Sequence, residues 1–195
     1  SSGTSANWTV APLYDPPAIP SPSTYYLRIQ TKDNVGNTSA WATVFIFKYD
    51  ASPPSNPTSV LPGCTASDNV WQNTCPDPNF TWSGADDGLG SGVAGYNYYW
   101  GPNPSGTAPD WTGSAGFDPP AVISPSTTYL RISTRDQAGN SGPWITMFTF
   151  RFDASPPGNP ASAASGCTAS DDVWQNMCSD PSFTWSGSTD GVGSG

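Results

Sequence analysis

Along TTYLRIST (127–134), Leu130, Ile132 and Thr134 alternate with Tyr129, Arg131 and Ser133. A period of two sends successive side chains to opposite faces of a strand, here one covered and one wet. Apolar or aromatic runs of similar length recur as NFTWS (79–83), AGYNYYW (94–100) and WITMFTFRF (144–152). Weaker runs lie near 57–61 and 119–123. Clusters of Gly, Pro, Asn, Asp and Ser bound each run, which is the punctuation of strands. No segment of ten or more residues shows apolar spacing of three and four, so helix is not expected. Six or seven short strands in about 100 residues predict an antiparallel β-sandwich. The turns DNVGN and DQAGN are expected to join the last two strands of each unit as a hairpin.

The same pattern occurs more than once. Setting Ser1 opposite Pro104 and continuing to Gly92 opposite Gly195 gives 92 gapless pairs, of which 56 are identical. YDASPPSNP (49–57) recurs as FDASPPGNP (152–160), and NFTWSG as SFTWSG. All six cationic positions pair: Arg28 with Arg131, Lys32 with Arg135, Lys48 with Arg151. The chain therefore reads as a window on a tandem array with a unit of ordinary domain size. Three segments are expected: 1–50 as the C-terminal part of one repeat, 51–153 as a complete repeat, and 154–195 as the N-terminal part of the next. The chain begins SSGTS without Met, so a mature product or a piece of something longer is expected. Half-repeats at both ends are expected to continue in a longer polypeptide, or else to be completed by neighbouring subunits. Either route gives a head-to-tail, non-closing line of domains.

FTWSG, then GYNYYW, then YYLRIQTKDNVGN together resemble fibronectin type III and bacterial immunoglobulin-like repeats. Trp82 and Trp185 match the Trp of the second strand in such repeats and are expected as core residues between the two sheets, and Tyr25, Leu27 and Ile29 match the Tyr-x-Leu-Arg-Ile strand. The other copy departs, with Thr128 where Tyr25 stands. The resemblance spans the whole chain and implies a secreted, multi-repeat surface protein of a bacterium or archaeon. It implies no chemistry. The expected fold class is thus all-β, with tandem immunoglobulin- or fibronectin-like sandwiches.

Charge narrows the partners. With 15 Asp, no Glu and no His, the net charge is −9, and only six Lys and Arg are available to meet phosphates. Nucleic acid and anionic membranes are not expected as partners. No run of 18 apolar residues offers a membrane span.

The four cysteines stand as two copies of Cys-x10-Cys: Cys64 and Cys75, Cys167 and Cys178. A zinc site needs tighter spacing or His, and a redox Cys-x-x-Cys is absent. One disulfide per repeat, Cys64–Cys75 and Cys167–Cys178, would stabilise each unit by roughly 3 kcal/mol and form outside the reducing cytosol. Trp71 and Trp174 sit at the midpoints of these loops. Three roles are open: packing over the disulfide of the same loop, contact with a neighbouring domain or subunit, and stacking on a sugar.

The aspartates raise catalysis and calcium. Asp86 and Asp87 are adjacent, and Asp86 is replaced by Thr189 in the other copy. That does not make the facing pair a glycosidase needs, and an enzyme is not expected. No cofactor motif is present. Calcium would find hard oxygen ligands in Asp87, Asp190, Asp50 and Asp153, with Asp33 and Asp136 as further candidates. The competing role is capping of Asx turns. The first expectation for function is a non-enzymatic structural protein of an extracellular filament or surface layer, assembled with itself. The alternative is an adhesin stalk or polysaccharide-binding module, with a cell-surface polysaccharide as partner. Exposed aromatics forming a strip would favour binding; aromatics buried between domains would favour a filament.

Overall fold

A computed structural model describes Thr4 and residues 7–195. Its elements are all strands: β1 (Ser23–Ile29), β2 (Ala42–Tyr49), β3 (Ser59–Pro62), β4 (Trp71–Gln72), β5 (Phe80–Ser83), β6 (Val93–Gly101), β7 (Trp111–Thr112), β8 (Gly116–Phe117), β9 (Ser126–Asp136), β10 (Ile145–Phe152), β11 (Ser162–Ser165) and β12 (Phe183–Ser186). A five-stranded sheet ordered β4-β10-β9-β6-β7 faces a three-stranded sheet ordered β3-β5-β8. Two hairpins, β1–β2 and β11–β12, form separate two-stranded sheets on either side of this unit in sequence.

The core lies between the two larger sheets. From the smaller sheet, Phe80 packs on Trp100 and Phe148, with ring centroids 5.4 and 5.1 Å apart. Trp82 meets Tyr96 edge-on at 5.3 Å, and Tyr98 meets Phe117 at 4.4 Å. Leu130, Ile132 and Phe150 are fully buried beneath them. The alternation in 127–134 thus selects the covered face as expected, and Tyr96, Tyr98 and Trp100 supply the facing residues of β6. Aromatic pairs in tilted or edge-on geometry add to the area they remove from water.

Local chemistry sets the ends of the elements. In the β9–β10 turn, Asp136 Oδ1 accepts from the N–H groups of Gly139 (2.7 Å) and Asn140 (2.8 Å). Asp33 does the same for Val35 and Asn37 in the first copy. The Pro-Pro junction is held against the domain: Pro54 and Pro57 are buried, and Asn56 Oδ1 accepts from Thr134 N–H at 2.8 Å while Asn56 Nδ2 donates to the Pro143 carbonyl.

Two expectations need correction. Residues 119–123 form no strand, because Pro119 and Pro120 have no N–H to give a ladder and Pro125 follows two residues beyond. Trp185 is not a core residue here: it is 69% exposed, whereas Trp82 is 4% exposed. β12 pairs only with β11, and among the described residues no sheet covers that hairpin as β6, β9 and β10 cover β5. The β1–β2 hairpin is open in the same way, Phe47 being 45% exposed where Phe150 is 0%.

Candidate functional site

The outward face of the five-stranded sheet collects three of the chain's six cations. Register places Arg131 beside Tyr99, Arg135 beside Gly95, and Ser133 beside Asn97. Tyr129 lies opposite Thr149, and Arg151 opposite Thr127. β7 adds Trp111 next to Asn97, and β4 adds Trp71 next to Arg151. Arg135 sits 5.8 Å over the Trp111 ring, and Arg151 5.8 Å over the Trp71 ring. Each is a cation–π contact at a partly hydrated site, a stabilisation of about 0.5–1 kcal/mol. Arg131 donates to the carbonyls of Gly106 (2.6 Å) and Trp144 (3.2 Å), which fixes its charge in place.

Two glycines let these rings lie close to the backbone. A Cβ at Gly95 would run into the Trp111 indole, and one at Gly106 into the Tyr99 ring. Side chains are therefore excluded where the aromatics rest, a close approach only glycine allows. The signal in the sequence was the pairing of all six cations between copies; the tiny strands at Trp111 and Trp71 gave none, being two residues each.

Each Cys-x10-Cys pair closes its own loop, Cys64 with Cys75 and Cys167 with Cys178. Thiols paired in this way belong to an oxidising environment, and among the described residues no helix is long and apolar enough to cross a membrane. The first loop docks on its own domain. Asn69 N–H donates to Thr149 O at 2.8 Å, Thr149 N–H donates to Asp68 Oδ1 at 2.7 Å, and β4 pairs in parallel with β10. Trp71 thus packs on the sheet edge beside Arg151, with Gln72, Asn73, Asp153 and Ser194 lining an open polar cleft of about 340 Å³ next to it. Trp174 stands fully exposed.

The acidic candidates gather in two places. Oxygens of Asp50, Asp87 and Asp136 lie within 4.8 Å of one another. Asp153 and Asp190 flank Gly193 in the other junction, as Asp50 and Asp87 flank Gly90. Asp33 joins neither group; it caps its own turn. Donors meet most of these carboxylates: Ser91 N–H reaches Asp50 Oδ2 at 2.6 Å, Gly92 N–H reaches Asp87 Oδ2 at 2.7 Å, and Ser194 N–H reaches Asp153 Oδ2 at 2.7 Å. The backbone N–H groups of Ser52 and Ser91 hold the Asp50 carboxyl below the usual carboxylate range, and those of Ser155 and Ser194 do so for Asp153. This is the arrangement of turn capping. Acidic groups converge on surfaces without an ion, and the convergence alone assigns no cation.

No family model matches the chain. It is 27% identical over 174 residues to exoglucanase B of Cellulomonas fimi, a match covering 88% of this chain and 15% of that protein.

Proposed function

We propose that the chain is a non-catalytic polysaccharide-binding module of a secreted, polysaccharide-acting protein. The observation that carries this is the similarity of nearly the whole chain to a small share of an exoglucanase, 88% against 15%. A chain resembling so little of an enzyme is more simply an accessory segment than the catalytic part. That protein's name points to a polysaccharide as the class of ligand, and an extracellular location follows with it. Trp111, exposed at the edge of the sheet face, supports the reading together with the half-buried Trp71 and Tyr129, since rings at a wet surface offer flat apolar area to sugar rings. Within this proposal the unit 51–153 is one immunoglobulin- or fibronectin-like repeat, and 1–50 and 154–195 belong to its neighbours. Of the two functions expected from the sequence, the similarity favours the second; the filament gains nothing from it.

A retention assay on a panel of neutral and acidic polysaccharides, run in affinity gels with a non-binding protein as reference, tests the proposal. Retardation on at least one polysaccharide, without release of sugar, is expected. Unretarded migration on all of them would refute it.

Self-association end to end is a second reading, favoured by the open β1–β2 and β11–β12 faces. It is compatible with the first, and its consequences belong to the whole molecule.

A further inference from the structure

We infer that the outward face of the five-stranded sheet is a docking surface for an anionic polysaccharide, one carrying carboxylate or sulfate groups along its chain. This rests on the polysaccharide-binding reading and names the ligand class and the residues. The chain has a net charge of −9 and six cations, yet the three cations of the complete unit all stand on one sheet face, at Arg131, Arg135 and Arg151. No strand position among them on that face is acidic; Asp68 and Asp110 lie at the rim on connecting loops, and Asp153, just past β10, lines the cleft beside Trp71 with its carboxylate accepting from the Ser155 and Ser194 N–H groups. The remaining acidic groups of the unit occupy turns and junctions. A surface that is acidic almost everywhere and basic on one sheet face is segregated by position, and such a field is local once salt limits its reach to about 8–10 Å.

The other copy keeps all three charges but only one of the three side chains. Arg28 stays Arg at 131, whereas Lys32 and Lys48 become Arg135 and Arg151. Lys48 lies opposite Thr24 as Arg151 lies opposite Thr127, so the charge occupies the same place in each sheet. Exchange of Lys for Arg preserves a positive charge and loses the planar fork. Positive potential is what the two copies share, which suits a string of anionic groups better than one bidentate contact. Arg151 Nε is buried and has no hydrogen-bond partner among the described residues, a further cost borne by a cation kept at that position. Trp111 and Trp71 at the sheet edges, with Tyr129 half-buried between them, give sugar rings a place to lie while their acidic groups meet the guanidinium groups.

The test uses the 195-residue chain in affinity gels containing polygalacturonate, alginate, cellulose derivatives without charge, or neutral β-glucan. Retardation on the acidic polysaccharides is expected, falling roughly tenfold or more between 50 and 500 mM NaCl if two or three charges are neutralised. The double variant Arg135→Gln/Arg151→Gln should lose about tenfold in affinity, since removing two such contacts removes much of the electrostatic contribution. Arg135→Lys/Arg151→Lys, which installs what the other copy carries, should bind within about twofold of the parent, the charge being retained. Unchanged near- and far-ultraviolet circular dichroism, measured on all three proteins, separates lost binding from lost fold. Equal retardation on neutral and acidic polysaccharides, indifferent to salt and to both variants, would overturn this inference and leave the polysaccharide-binding reading intact. Retardation on none would overturn both. Salt-sensitive self-association without any polysaccharide retention would assign the face to acidic loops of a second copy instead, and would equally overturn the inference.

Discussion

At the scale of single residues, the same tetrapeptide FTWS meets two environments. In β5 its Trp82 is 4% exposed and packs edge-on against Tyr96; in β12 its Trp185 is 69% exposed. Trp82→Ala should therefore cost about 3–5 kcal/mol, the range for large aromatic truncations in cores, whereas Trp185→Ala should stay within about 0.5 kcal/mol, as surface changes do. Urea unfolding of the two variants checks this, and equal costs would mean that β11–β12 is covered in solution. Nothing in the tetrapeptide distinguishes the two copies; only the sheet that lies over each does. The alternation of Leu130 and Ile132 with Arg131 and Ser133 reveals which face packs into the core; the opposite face is wetted only in part, since Arg131 is half-buried and Ser133 is buried with its hydroxyl donating to the Gly142 carbonyl. The aspartates add a pH prediction. The carboxyls of Asp50 and Asp153 are lowered chiefly by backbone N–H donors, and that of Asp33 by the Asn37 side chain. A folded-state value below the unfolded one contributes stability that is present above about pH 4, the unfolded carboxylate range, and is lost as pH falls below it. Denaturation midpoints should fall between pH 5 and pH 2.5. Asp50→Asn should flatten the low-pH part of that decline, and a decline as steep as the parent's would show that Asp50 does not titrate as described.

At the scale of elements, the Cys64–Cys75 loop does more than close on itself. It lays β4 along the outer edge of β10 in parallel, covering ladder groups that would otherwise face another chain. Its backbone is demanding, with positive φ at Cys64, Thr65, Asn69 and Cys75. Such conformations cost on the order of 1 kcal/mol each and persist only where the surroundings hold them. Cross-link and edge pairing are therefore coupled. Cys64→Ser/Cys75→Ser should lower stability by about 2–4 kcal/mol, and amide exchange should accelerate at Thr149 and Asn69, the residues bonded across that edge. Stability loss without faster exchange there would mean that β4 docks independently of the disulfide. The Cys spacing made the staple legible, because no other partner geometry was open to it. The edge strand was not legible: two residues carry no period, and a parallel partner 80 positions away leaves no local trace. The same holds for β7 and β8, whereas the long runs of β6, β9 and β10 stood out because their apolar spacing persists for several turns of the pleat. Residues 119–123 misled in the opposite direction, a short apolar run headed by Pro119 and Pro120, which take it off the ladder.

At the scale of the whole molecule, the two flanking hairpins present the residues that meet inside the central unit. Phe45 and Phe47 on β2 stand where Phe148 and Phe150 stand on β10, one repeat of 103 positions earlier, and Phe183 and Trp185 on β12 stand where Phe80 and Trp82 stand on β5. In the central unit those sets pack face to face. In the hairpins both are open, with Phe45, Phe47, Phe183 and Trp185 all exposed. Contiguous apolar faces of this kind are unusual on a lone soluble chain, and covering them returns on the order of 25 cal/mol per Å² of apolar area. The 195-residue chain is accordingly expected to associate β12-face to β1–β2-face, one copy to the next, with no rotation that closes the series. The partial complement limits this, because neither hairpin brings a counterpart of β6, whose pairing with β9 is the most extensive in the central sheet. Association should therefore be reversible and dependent on concentration. Sedimentation velocity from micromolar to hundreds of micromolar should show a rising weight-average mass, which Phe47→Asp or Trp185→Asp suppresses while the segment 51–153 alone stays monomeric. A chain that sediments at 20.4 kDa over the whole range would refute the contact. Polysaccharide binding would survive that outcome, since the outward sheet face and the open hairpin faces share no residues.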